Sequence, residues 1–402
     1  MKVLIVTQYF YPENFKSNDI AFTLAERGME VDVLVGIPNY PEGKYYKGYG
    51  IFRKRIEKIN GIRVYRVFQT PRGRNRGWKL ALNYVTYTIF ASIWAFLLSM
   101  LKTYDAIIVH QPSPITQGIP AVLIKKIKKT PIYFWVLDIW PESMTSGSGI
   151  KNKYVLSVVD KIVRAMYNHS KKILISSTGF EPFILAKGDY KHKIVYFPNW
   201  SEDLLKMADN YPIPALPEGF IIMLAGNLGS AQLLDAIMYT ALELKEEKNL
   251  KWIFIGDGSY KEWLNGFVKE HSLQNTVFIY GKFPFEAMPT FYKKANAMLL
   301  TLRCDFPHLK ATVPARLQSY MAASKPIIAM IEGESAKIIQ EAKCGLSVAA
   351  GDNKAFTTMI KEKVLSDKTA FEDLGKNGRK YFEKFFQKDI CISHLIEIIT
   401  ND

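Results

Sequence analysis

The sequence predicts an α/β protein made of two doubly wound parallel sheets. Three observations carry this reading. Apolar runs of strand length alternate with longer segments of helical period along the chain. In the second half, glycine-bearing turns leave several of those runs. The texture breaks once, at residues 201–218, where Asn210-Tyr211-Pro212, Pro214 and Pro217 show no periodicity. The expected domains are therefore 1–200, a linker at 201–218, a second domain at 219–385 and a terminal helix at 386–402. At 402 residues the chain can bury a sizeable core in each half.

Lys2–Val6 reads as the first strand, too short for a secretory h-region. After the loop Gln8–Asn14 comes a helix over Ser17–Arg27, capped by Gly28, and a strand over Val31–Val35. In a doubly wound sheet, ligands sit beyond the carboxyl ends of strands. That puts Tyr11, Glu13 and Asn14 on a site-facing edge, with Asn39 in the loop Gly36–Pro41 beside them; both loops are equally open to a plain turn reading. Ile62–Phe68 is a third strand, followed by the basic loop Arg72–Arg76. Leu80–Leu101 then holds twenty-two residues without a charge. Length alone nominates a membrane span. Strands on both sides belong to one sheet, however, and a span would part them. The sequence favours a crossover helix whose outer face is apolar enough for the membrane interface, helped by Tyr84, Tyr87 and Trp94; a wholly buried helix is the alternative.

Asp105–Val109 and Ile132–Leu137 continue the sheet, and the second empties into Asp138-Ile139-Trp140-Pro141-Glu142-Ser143. Asp138 and Glu142, four residues apart at a strand end, suit a substrate hydroxyl or base chemistry. Alternatively Asp138 caps the next turn and Glu142 is solvated. Helix Val155–Asn168 and the strands Ile173–Ser176 and Ile194–Phe197 close the first half.

The second half opens with Phe220–Leu224 and the turn Gly226-Asn227-Leu228-Gly229, whose glycines let backbone approach a phosphate. Lys251–Ile255 leads to Gly256-Asp257-Gly258, Val277–Tyr280 to Gly281-Lys282-Phe283, and Ala297–Leu302 to a loop over Arg303–Thr312. In Thr312-Val313-Pro314-Ala315-Arg316, Pro314 opens a helix carrying Leu317, Tyr320 and Met321 on one face, and Ile327–Met330 is the next strand. Free N–H groups, the positive dipole end and Arg316 are how a protein holds a diphosphate, although an ordinary α/β crossover has the same outline. Gly345–Val348 is a short strand, and helices follow at about Lys354–Leu365, Thr369–Phe386 and Ile390–Ile399.

The formal charge of +15 calls for an anionic partner or surface. No helix-turn-helix, RNP or zinc-finger pattern is present, so a nucleic acid is not expected and an anionic membrane is. Cys304, Cys344 and Cys391 form no metal spacing and point to a reducing cytosol; no Asp-x-Asp motif occurs, so no required metal is expected.

Seven stretches in order carry a family resemblance: Gln8–Pro12; Ile37–Pro41 with Gly43-Lys44; Asp138–Ser143; Phe197–Trp200; Gly226–Gly229 with Gln232; Ile255–Gly258; and Val313–Pro326. On these the chain resembles glycosyltransferase family 4, and within it the subgroup proposed to transfer N-acetyl-L-fucosamine in O-antigen or capsule assembly. The resemblance implies a GT-B fold, two Rossmann-like domains facing a central cleft with the C-terminal helix crossing back. It implies a retaining enzyme at the cytoplasmic face of the bacterial cell membrane, moving a sugar from a UDP-linked donor to a lipid-diphosphate-linked saccharide, with no cofactor. By position, Gly281, Lys282 and Phe283 would meet the base, and Gly226 to Gly229 and the N–H groups at Thr312–Arg316 would meet the diphosphate; Asn227, Gln232, Gly256, Asp257, Gly258 and Arg303 are counted with the same donor site. Ser319 would meet the ribose; Tyr11, Glu13, Asn14 and Asn39 would meet the acceptor, and Asp138 and Glu142 would orient or deprotonate it.

The departures matter as much. Most of family 4 has E-x7-E where this chain has Ala311 and Ser319, and an Arg and a Lys where it has Asn227 and Gln232. Diphosphate charge then falls to Arg316, Lys282, Arg303 or Lys310, with Arg316 the first choice. Two other readings share the architecture: a nucleotide-sugar 2-epimerase, and a membrane-bound donor-binding scaffold without catalysis.

Overall fold

The computed structural model describes residues 1–73 and 77–401, so Arg74, Asn75 and Arg76 of the expected basic loop lie outside the described residues. The chain forms two units, Met1–Phe197 with Ile392–Asp402, and Pro198–Cys391. Helix Lys388–Thr400 thus begins in the second unit and ends in the first. Within unit 1 its Ser393 Oγ accepts from Arg27 Nη1 at 2.8 Å.

Unit 1 holds an eight-stranded sheet of β1 (Lys2–Val6), β2 (Glu30–Gly36), β3 (Ile56–Ile59), β4 (Ile62–Val67), β5 (Ala106–Gln111), β6 (Ile132–Val136), β7 (Lys172–Ile175) and β8 (Ile194–Tyr196). Its order is β3-β4-β2-β1-β5-β6-β7-β8, and only the edge pair β3–β4 is antiparallel. Every residue of β5 and β6 is buried, which is why these strands read as unbroken apolar runs. The chain winds outward from β1 both ways, so the sheet reverses direction between β1 and β5. Right-handed crossovers then put helix Lys16–Glu26 and helix Gly77–Leu101 on opposite faces.

Helix Gly77–Leu101 is long and apolar enough to cross a membrane, yet side chains fix it to the sheet. Asn83, Tyr87, Ala91, Ala95 and Leu98 form its buried stripe. Asn83 Oδ1 accepts from Gln8 Nε2 at 2.8 Å and Tyr87 OH donates to Thr7 O at 2.9 Å. Tyr87 therefore points inward, and Trp94 packs on Tyr65 with ring centroids 5.8 Å apart; neither belongs to an outer face. The exposed stripe is instead Trp78, Leu82, Val85, Ile89, Ile93, Phe96 and Met100. The helix is neither wholly buried nor free of the fold.

Unit 2 holds a six-stranded, all-parallel sheet of β9 (Phe220–Ala225), β10 (Leu250–Ile255), β11 (Val277–Tyr280), β12 (Ala297–Thr301), β13 (Ile327–Met330) and β14 (Gly345–Val348), in the order β11-β10-β9-β12-β13-β14. Its direction reverses between β9 and β12. Residues 201–218 are not a loose connection. Arg379 grips Asp203 with two nitrogens at 2.6 and 2.8 Å, Leu204 enters the core, and Tyr211 N donates to Thr290 Oγ1. The three cysteines are buried and none is in a disulfide.

Candidate active site

At the β9–β12 reversal of unit 2, three short segments converge. β9 ends at Ala225 and is followed by Gly226 (φ 135), whose N–H donates to Ile255 O at 2.9 Å. β12 ends at Thr301. The loop beyond it leads through a short helix, Pro307–Ala311, to helix Ala315–Ala322, one residue later than expected because Pro314 stays extended as its N-cap (ψ 135). No side chain caps that helix, so its first N–H groups point outward without a side-chain partner. Arg316 reaches back from the first turn to the two strand ends. Its Nη2 donates to Gln232 Oε1 and to Thr301 O, the latter at 3.3 Å, while Nη1 is buried without a partner. A Cβ on Gly226 would sit 3.3 Å from Arg316 Cδ, so glycine lets the arginine lie against the turn. Gln232 is aimed by Leu233, which holds a left-handed backbone (φ 48) where a leucine is uncommon.

The other expected donor residues divide. Gly256 and Gly258 serve backbone packing: a Cβ on Gly256 would lie 1.8 Å from Gly226 O, and one on Gly258 2.4 Å from Leu228 O. Asn227 lies over Gly229 and Gly258, and Asp257 caps its own turn by accepting from Gly258 N at 2.9 Å. Arg303 is a brace, not a spare cation. Its Nε donates to Ser230 O at 2.7 Å and its Nη2 to Asp235 at 2.8 Å. Lys310 pairs with Glu332 at 3.2 Å. Gly281 O accepts from Gly256 N, Lys282 is exposed, and Phe283 packs edge-on to Phe291. Thr312 Oγ1 donates to His308 O, and Val313 packs on the core. Ser319 Oγ shares a 3.1 Å hydrogen bond with Ser201 Oγ. Thr301 and Tyr320, which accepts from Ala225 N at 3.4 Å, were not legible as site residues.

In unit 1 the carboxyl ends of β1 and β5 carry a buried amide network. Gln8 Nε2 donates to Gln69 Oε1 and Asn83 Oδ1, both at 2.8 Å, and Gln8 N donates to Gln117 Oε1 at 2.9 Å. The polar Asn83 inside an apolar helix was its one sequence signal. Asp138, beyond β6, accepts from Ser143 Oγ and from Trp140 Nε1 at 3.2 Å. Burial pushes its carboxyl up to about 6 against those two donors. Arg72 donates to Tyr9 OH at 2.7 Å and lies over the Tyr40 ring. Burial raises the Tyr84 hydroxyl, opposed by the charge of Arg72.

Glu142 stands apart from Asp138 chemically, because Lys187 pairs it at 3.0 Å and Asp160 at 2.9 Å. Glu13 and Asn39 are loop fasteners. Glu13 Oε1 accepts from Asn39 N and Tyr40 N at 2.7 and 2.6 Å, and Asn39 bonds Ile37 O and Arg72 N. Tyr11 and Asn14 are exposed. Among the described residues, no group of three His, Cys, Asp or Glu is placed to hold a metal.

Residues 212–381 match the family profile described as glycosyl transferases group 1, so unit 2 carries a group 1 glycosyltransferase domain. Among solved structures, the chain is similar to HepE from Anabaena in complex with UDP (13% identity, all of both chains, TM-score 0.71). It is also similar to sucrose-phosphate synthase from Thermosynechococcus elongatus (13%, 99% of this chain and 97% of that one, TM-score 0.73). A glycosyltransferase from Rickettsia africae gives 14% identity over 100% and 97%, with a TM-score of 0.66. No curated protein matches by sequence. These neighbours make the fold GT-B.

Proposed function

We propose that this chain, a glycosyltransferase by its group 1 domain, moves an N-acetylated amino or deoxyamino sugar from a UDP-linked donor to a lipid-diphosphate-linked saccharide. The finer assignment, an N-acetyl-L-fucosamine transferase of bacterial O-antigen or capsule (lipopolysaccharide) assembly, rests on the seven motif stretches. The observation that carries the reading is Arg316, with one buried unpartnered donor beside an uncapped helix N-terminus and the Gly226 turn. That arrangement suits an anion with several acceptor oxygens. As the sugar takes on positive charge, Arg316 and the N–H groups stabilise the departing diphosphate. Its oxygen can accept the acceptor's proton, which keeps the anomeric configuration; Asp138 orients the acceptor hydroxyl. The protein works at the cytoplasmic face of the membrane, which the exposed apolar stripe of helix Gly77–Leu101 and the charge of +15 support.

The test is a radiolabelled UDP-N-acetyl-sugar incubated with membranes containing the protein. Label in the lipid fraction supports transfer. An epimerised free nucleotide sugar would replace the proposal with a 2-epimerase, and binding without turnover would replace it with a scaffold.

A further inference from the structure

Ile51 and Phe52 form the tip of a tight turn in unit 1. Gly50 and Arg53 pair across it as an antiparallel bridge, Arg53 N donating to Gly50 O at 3.2 Å, and β3 begins three residues later. Phe52 is 95% exposed and Ile51 43%. Two-residue turns ordinarily take glycine, asparagine or aspartate, which suit the backbone they require. Ile51 and Phe52 serve neither that backbone nor the core, so folding gives no reason for two large apolar side chains here. The turn is nonetheless firmly built. Arg55 Nη1 donates to Ile51 O at 2.8 Å and its Nε to Arg66 O at 2.5 Å, while Arg66 N donates to Arg55 O at 2.7 Å. β4 thus holds the base of the turn and leaves its tip in water.

The charges around the tip select its partner. Glu42–Lys58 carries six lysines and arginines against two carboxylates, and one of those, Glu57, is taken by Arg66 at 2.5 Å. Lys44, Lys47, Arg53 and Lys54 are exposed. An apolar tip inside a cationic collar fits a surface with acyl chains below and anionic headgroups above. Two side chains fall far short of the roughly 800 Å2 per partner that a stable protein interface buries, but they strengthen a second attachment to the same surface. Such an attachment lies at the same end of the sheet. Ile56 of β3 pairs with Tyr65 near the carboxyl end of β4. Asn83 bonds Gln8 and Thr70, just beyond β1 and β4, which keeps the first turns of helix Gly77–Leu101, with the exposed Trp78 and Leu82, at that end too.

We infer that the Ile51-Phe52 turn inserts into the interface of an anionic phospholipid bilayer as a second anchor. With both anchors engaged, the carboxyl-end loops of unit 1 lie beside the bilayer, where a lipid-linked acceptor is met without being drawn out of it. The inference rests on the membrane reading above for the bilayer, but not on helix Gly77–Leu101 as the anchor.

The probe is a vesicle of phosphatidylglycerol and phosphatidylcholine, presented to the full chain carrying Ile51→Cys labelled with the fluorophore NBD. The three native cysteines are buried, so the label goes to position 51. NBD should brighten on the vesicles and be quenched by nitroxide-labelled acyl chains. Phe52→Ser should weaken vesicle flotation about tenfold, and Phe52→Trp should retain it; at 95% exposure neither change disturbs the fold. A parent that floats with the vesicles while NBD stays unquenched would overturn the inference and leave the helix as the anchor, as would equal flotation of Phe52→Ser. A parent that does not float would remove the membrane reading and the inference together. Brightening without vesicles would assign the tip to a contact between copies of this chain, and would overturn the inference as well.

Discussion

Arg316→Ala is the sharpest test of the donor site. The guanidinium has already been taken out of water: Nη1 is buried with nothing to bond, and Nη2 is shared by Gln232 Oε1 and Thr301 O. A diphosphate oxygen reaching Nη1 would form a charge-assisted hydrogen bond without further desolvation of the arginine. Such a bond is worth about 1.5–3 kcal/mol, so its loss should weaken UDP by about 10- to 150-fold. Arg316→Lys keeps the charge but not the fork, because an ammonium cannot bond Gln232, Thr301 and a phosphate in one plane; it should recover only part of the loss. Isothermal calorimetry with UDP gives the affinity, and circular dichroism confirms the fold. Lys282→Ala is the control, since Lys282 is exposed and mobile cations at the surface contribute little. If Arg316→Ala bound UDP as tightly as the parent while Lys282→Ala did not, the reasoning would be refuted and the diphosphate would belong elsewhere.

Four further outcomes follow from named contacts. Asp138 is pushed up to about 6 by burial, so its carboxylate form grows as pH rises through that value; transfer should rise with it. Asp138→Asn should cut turnover by about 10- to 150-fold, the loss of one charge-assisted hydrogen bond to the acceptor hydroxyl, and flatten the profile, and an unchanged rate removes Asp138 from the site. Burial raises Glu13 to about 7, so the folded state binds its proton more tightly than the unfolded chain does. Its contribution to stability is full below the ordinary carboxylate range and lost as pH rises through about 7. Glu13→Gln keeps an acceptor for Asn39 N and Tyr40 N; its melting temperature should overtake the parent's above neutrality, and parallel curves would contradict this. Gly256→Ala forces a Cβ to 1.8 Å from Gly226 O at φ 141. Denaturant unfolding should show a loss of about 2–4 kcal/mol; a near-neutral variant would mean that the turn is looser than drawn. Replacing the exposed Ile89, Ile93 and Phe96 by serine should weaken binding to phosphatidylglycerol vesicles by at least about tenfold. Undiminished vesicle binding would rule out this face.

The two sheets were legible because buried parallel strands are unbroken apolar runs, and Val3–Val6 and Ile132–Val136 could hardly be anything else. β3 was missed for the opposite reason: Ile56-Glu57-Lys58-Ile59 is half polar with no residue buried, pairs on one side only and follows Arg53-Lys54-Arg55, which reads as surface. Helix Glu334–Ala342 also went unread, its apolar Ile338, Ile339 and Ala342 spanning little more than one turn. Side-chain direction was harder still. Tyr87 looked like an interfacial aromatic until its hydroxyl was found on Thr7 O, 80 residues away in sequence. Arg303 looked like a free cation until Asp235, 68 residues away, took it. A sequence shows that a charge is present but not that a distant partner already holds it.

That distinction explains how the site can work with Ala311 and Ser319 where carboxylates are usual in the resembling family. Nearby Asp235 and Glu332 are each matched by a cation, Arg303 and Lys310, so they add little net field at the turn. Ala311 is 7% exposed, and a carboxylate there would be partly desolvated close to an incoming diphosphate. Two neutral side chains leave the helix N-terminus and Arg316 unopposed by any new negative charge. What the substitutions give up is a direct hold on the sugar and ribose hydroxyls; what they preserve is the positive field that a departing diphosphate needs. On the proposed donor site, recognition would depend more on the phosphates than on the sugar, and discrimination between sugars would fall to the neutral groups around Asn227, Gln232 and Thr312.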